Sequence, residues 1–171
     1  PPGPSGALAP ALSPPSAGGF PRLPDPIVIK GEDAPKLQGA VEQEFRVFAE
    51  KNGKVQPIPS QMDERNQWGE FVVTHGRRVV PDGDKGKYDG NDEIGCLGRD
   101  LGGKVAKAAW PSGTKATYEV EVTDPLSGAK GYAYVASYAS ASSAPPPSQV
   151  RYMNYRDEGE GGLASAQYYE L

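Results

Sequence analysis

Nowhere in the 171 residues do apolar side chains recur at helical spacing for long enough to make a helix. They alternate instead in runs of four to eight, and Gly or Pro breaks each run. The clearest pair lies at residues 117–123 and 131–138. In the first run Tyr118, Val120 and Val122 share one face, and Glu119 and Glu121 the other. In the second, Tyr132, Tyr134, Ala136 and Tyr138 share a face. Asp124-Pro125 and Ser127-Gly128 provide the turn between them. Residues 44–49 alternate likewise, with Phe45, Val47 and Ala49 opposite Arg46 and Phe48. Asn52-Gly53 follows, then a second run at 55–58, which is a strong hairpin signal.

Further short runs stand at 27–29, 68–74, 77–80, 93–97, 150–155 and 167–171. Residues 56–64 carry two prolines and read as an edge or a loop. Residues 104–110 fit either a helical turn or a strand, and 139–148 and 157–162 read as loops. The expectation is an all-β fold, an antiparallel β-sandwich or open barrel of about eight to ten short strands. It forms a single domain over residues 27–171.

Residues 1–26 are different. Nine of the 18 prolines lie there, among Gly, Ala and Ser, and Arg22 and Asp25 are the only charges. Such a segment reads as an extended arm. Leu8, Leu12, Phe20 and Leu23 are its large apolar anchors, so an arm that wraps a partner is one expectation and a plain tether the other.

The balance of 18 basic and 22 acidic residues offers no cationic face for phosphates, so nucleic acid is not an expected partner. No apolar run is long enough for a membrane helix. The chain begins at Pro1 without a Met, which reads as a processed, periplasmic or extracellular protein whose signal peptide is gone. The single cysteine, Cys96, excludes an internal disulfide. It is either a buried thiol or a partner for another chain.

The sharpest local feature is the acidic, Gly-rich stretch 81–93. Carboxylates at alternate positions on a curled loop suit calcium. The stretch resembles calcium loops of the EF-hand and dockerin type, with Asp82, Asp84 and Glu93 at the first, third and twelfth positions. Gly86 and Lys87 depart from that pattern at the fifth and sixth. Asp89, Asn91 and Asp92 complete the candidate ligand set, and Ca2+ is the only cofactor expected. The alternative is an acidic loop whose side chains satisfy its own turns.

Eight of the nine tyrosines follow residue 117. The ladder Tyr132, Tyr134 and Tyr138, with Tyr168 and Tyr169 near the end, suits an interface or a sugar-stacking platform, or else a sheet core. His75, the only histidine, has no nucleophile elbow or metal-ligand spacing around it. Carboxylates such as Asp63, Glu64 and Glu70 are numerous but unordered by any motif. Three functional classes result. The first is a non-catalytic assembly subunit that docks on protein partners, or on its own kind, through the arm and the Tyr face. The second is a calcium-stabilised, carbohydrate- or ligand-binding module, and the third a carboxylate-pair glycoside hydrolase.

Overall fold

The computed structural model describes residues 20–22, 24–74, 78–81, 83, 86–157, 162–166 and 169–170. Among them are ten strands, five single 3-10 turns and no α-helix. The strands are β1 (Pro26–Lys30), β2 (Phe45–Lys51), β3 (Lys54–Pro57), β4 (Gln61–Asp63), β5 (Glu93–Leu97), β6 (Ala116–Thr123), β7 (Lys130–Ser137), β8 (Met153–Asp157), β9 (Gly162–Ala166) and β10 (Tyr169–Glu170). They form three antiparallel sheets, ordered β1-β5-β4, β3-β2-β7-β6 and β10-β9-β8. The chain is therefore all-β.

The two hairpins expected from alternation are present. Asn52 and Gly53 both have positive φ, the primed turn that matches strand twist, and Lys51 pairs with Lys54 across it. β6 and β7 pair over eight residues, from Ala116↔Ser137 to Thr123↔Lys130. β6 is an edge, and it carries Glu119 and Glu121 against Lys104 (3.0 Å) and Lys130 (2.5 Å). Charges on an edge strand oppose unwanted strand addition.

The main core joins two of the sheets. Ile29, Ile94 and Cys96 come from β1 and β5, and Phe45, Val47, Ala133 and Val135 from β2 and β7. β7 is buried along nearly its whole length because its other face is covered too. There Tyr132, Tyr134 and Tyr138 pack with Phe48, beneath Val105, Trp110 and Ala144 of two loops.

Of the two readings of residues 104–110 the structure has the helical turn, a single 3-10 turn at Lys107–Ala109. Two sequence expectations change. The run 68–74 is not a strand; its ladder is reduced to the isolated bridges Arg65↔Phe71 and Val73↔Val80. The body also starts earlier than residue 27. Phe20 is 5% exposed and belongs to the main core.

Candidate functional site

The stretch between β4 and β5 holds most of the unusual chemistry. Its base is Asp92, a carboxylate 1% exposed. One oxygen accepts the Arg65 N–H and the other the Asp89 N–H, both at 2.8 Å. Tyr88 secures the same loop from within. Its ring meets Phe45 edge-on at 5.1 Å, and its backbone bonds Ala40 and Gly39 at 2.9 and 2.8 Å. Burial, with the Asp92 and Asp33 charges adding, holds its phenol well above the usual tyrosine range. The middle of the acidic stretch is thus fastened into the core rather than floating in solvent.

The other expected calcium ligands in view also have protein partners. Asp89 accepts the Asn91 N–H at 2.9 Å, the Asn91 side-chain amide donates to the Asn66 carbonyl at 3.1 Å, and Glu93 pairs with Arg65 at 3.1 Å. Among the described residues no group of three or more His, Cys, Asp or Glu side chains could hold a metal ion. Asp82, Asp84 and His75 lie outside the described residues.

Above this base rises a turn that the sequence reading passed over. The Asn66 side chain is buried, and its Oδ1 accepts the N–H groups of Trp68 and Glu70, each at 3.0 Å. Its amide donates to the Glu70 carboxylate at 3.2 Å. The Asn66 carbonyl accepts the Gly69 N–H at 2.8 Å. This frame holds out Trp68, which is 73% exposed. The Arg65 guanidinium lies 3.9 Å over the Phe71 ring and donates to the Gly69 carbonyl at 2.8 Å. Arg78 pairs with Glu70 at 2.6 Å. Of seven large apolar side chains exposed among the described residues, Trp68, Phe71, Val73 and Val79 fall within twelve positions of the chain. The legible signal was Asn66-Gln67-Trp68-Gly69, an Asx turn closed by glycine.

The tyrosine ladder is placed differently from the expected platform. Tyr134 is fully buried and its hydroxyl accepts the Val105 N–H at 2.9 Å. Trp110 covers it at 5.4 Å between ring centroids. Tyr138 is buried, and Tyr132 donates to Glu121 at 2.7 Å. Loops of this same chain cover the face. Tyr169 lies in β10, while Leu8, Leu12, Leu23 and Tyr168 lie outside the described residues.

Phe20 marks where residues 1–19 join the body. Its ring and the Arg22 backbone lie against Gly98, where a Cβ would stand 2.1 Å from the Arg22 carbonyl oxygen and 3.1 Å from the Phe20 ring. Only glycine allows so close an approach. Beside it, the Tyr152 hydroxyl donates to Asp100 at 2.7 Å, lies 2.9 Å from the Pro59 carbonyl and accepts the Leu97 N–H at 3.2 Å. Burial and the Asp100 bond raise this phenol's pKa well above its ordinary value.

Compared with known protein families, curated proteins and solved structures, the chain finds no match. Among the described residues no helix is long and apolar enough to cross a membrane.

Proposed function

We propose that the chain is a non-catalytic docking module, an assembly subunit that binds a protein partner through the surface around Trp68. The observation that carries this reading is a largely exposed tryptophan on a turn braced by a buried asparagine. Trp and Arg dominate binding hot spots, and a turn whose backbone is already held in place loses little freedom on binding. Asp92, Glu93, Asp100 and Asp124 are held by structural donors, which favours binding over acid–base chemistry. The same proposal takes the two sheets that share the main core as the layers of a sandwich, and the chain as an exported protein.

The test compares wild type with Trp68→Ala by light scattering across concentration, and by photo-crosslinking in the native source from a photoreactive residue at the neighbouring exposed position 67. Loss of a larger species or of a defined adduct in the variant supports the module. A wild type that stays monomeric, forms no adduct and is indistinguishable from the variant sinks it.

A second reading, carbohydrate binding, rests on the same ring. Gln67, Glu70 and Arg78 lie near it in the chain and would supply polar contacts to a stacked sugar. Retention on a glycan array, lost in Trp68→Ala, would favour it. Its calcium component would draw on Asp82 and Asp84, and a melting temperature equal in calcium and in EDTA would remove it.

A further inference from the structure

A cleft of about 520 Å3 opens between β2 on one side and the β4–β5 pair on the other. Phe45, Val47, Ile58, Met62 and Ile94 give it an apolar floor, and the segment 147–152 adds a further wall. Several polar groups around it are already engaged. The Gln61 amide donates to Asp63, the Ser148 hydroxyl accepts the Val150 N–H at 3.2 Å, and the Tyr152 hydroxyl is held by Asp100 and Leu97. Ser60 adds an exposed hydroxyl at the rim. Three charged side chains line the cleft, Glu42, Arg46 and Arg151, and none of them belongs to an ion pair among the described residues. Arg46 is partly buried and is pinned by carbonyl oxygens alone. Its Nε donates to Pro145 at 2.6 Å, and its Nη1 to Gln43 at 3.0 Å and to Phe45 at 2.5 Å. Carbonyls fix a guanidinium in place but leave its charge uncompensated.

We propose that this cleft binds a medium-chain fatty acid, its hydrocarbon on the apolar floor and its carboxylate between Arg46 and Arg151. Three observations carry the assignment. The first is charge. Two guanidinium groups face one carboxylate, so the cleft favours an anionic head, and such a head supplies Arg46 with the counter-charge that the body does not. The guanidinium fork suits a carboxylate, and Arg46 is already held in one place by three bonds, so it loses little freedom when an anion arrives. The second is the floor. Its five apolar side chains exclude a purely polar anion as the best fit and reward a hydrocarbon body. The third is Glu42. One carboxylate at the rim opposes a second negative charge, which favours a monoanion over a phosphate. The volume lies within the range of small-molecule sites, about 300–1,000 Å3. This inference stands apart from the Trp68 surface and does not depend on it.

The experiment titrates the isotopically labelled full chain with octanoate at pH 7 and follows its backbone amides by NMR. Octanol and octylamine serve as the uncharged and cationic probes of the same length. The expected octanoate shifts saturate and fall within 45–47, 58–62 and 147–152. Octanoate binds about tenfold more tightly than octanol, and octylamine most weakly. Arg151→Gln, an exposed change that leaves the fold intact, weakens octanoate about tenfold and leaves octanol unchanged. Glu42→Gln, equally exposed, tightens octanoate, a gain that damage to the fold would not produce. Trp68→Ala changes neither, which separates this site from the docking surface. Shifts that do not saturate or that fall on other surfaces, equal affinity for octanoate and octanol, or an Arg151→Gln variant that binds octanoate like wild type overturn the proposal.

Discussion

The Arg22 guanidinium donates to the Asp124 carboxylate at 2.6 Å across 102 residues of sequence, and so ties the start of the body to the β6–β7 turn. Asp124 is a turn organiser as well. It accepts the Ser127 hydroxyl and the backbone N–H groups of Ser127 (2.9 Å) and Leu126 (3.4 Å). The Ser127 bonds, and after them Arg22, hold its pKa well below the usual carboxylate range. A depressed folded-state pKa stabilises the fold above the unfolded value of about 3.9, and that contribution is lost as pH falls through the folded value. Asp124→Asn is therefore expected to melt several degrees below wild type at pH 7. The gap narrows progressively below about pH 4. Melting curves across pH 7 to 2 check both.

Phe20 and Gly98 form a second fastening. Phe20→Ala empties a buried aromatic site and should cost about 3 kcal/mol in denaturant unfolding. Gly98→Ala pushes a methyl group into the Arg22 carbonyl and the Phe20 ring, so residues 20–22 must shift. Because both changes break one contact, their effects should add to less than their sum. A double-mutant cycle measures the difference, and full additivity would show that the two residues act separately.

The Asn66 turn makes a sharper claim about Trp68. Asn66→Ala leaves the N–H groups of Trp68 and Glu70 without their acceptor, at a cost of about 1–3 kcal/mol. The docking reading requires more than that loss. Trp68 should become mobile, and binding should fall as it does in Trp68→Ala. Trp110→Phe makes Trp68 the sole reporter, and it removes a buried indole N–H that has no hydrogen-bond partner. In that background, Asn66→Ala should lower the fluorescence anisotropy of Trp68 while the fold persists.

These residues also show where sequence reading reached its limit. Alternation and Asn52-Gly53 disclosed β2, β3, β6 and β7 because strand period and turn chemistry are local. Cys96, open in the sequence between a buried thiol and a partner for another chain, is buried in the main core, with its pKa pushed up to about 12 by burial and then by the Asp100 charge. β9 was missed because Gly-Leu-Ala-Ser-Ala offers little β propensity. The tyrosine face was legible, but its cover was not: Val105, Trp110 and Ala144 come from loops without a period. Phe20 read as an anchor, yet nothing near it in sequence announced Gly98, 78 positions away. Asn66 drew no reading and Asp92 read as a candidate calcium ligand, because their partners are backbone N–H groups, which no side-chain pattern reveals.

Asp92 offers the most decisive of these tests. Its two carboxylate oxygens hold the N–H groups of Arg65 and Asp89, and its own carbonyl accepts the Gly31 N–H at 2.8 Å. Asp92→Ala strands two donors and should cost about 2–5 kcal/mol. Asp92→Asn turns an NH2 group toward one of those donors and should cost less, because one acceptor survives. A hub that works through these hydrogen bonds gives the same losses in calcium and in EDTA. A calcium ligand would instead show its largest loss in calcium, with EDTA bringing wild type down toward the variant. We expect equal losses in both buffers, since both carboxylate oxygens face backbone donors. Chemical denaturation of the three proteins in each buffer separates the two roles, whatever Asp82 and Asp84 contribute.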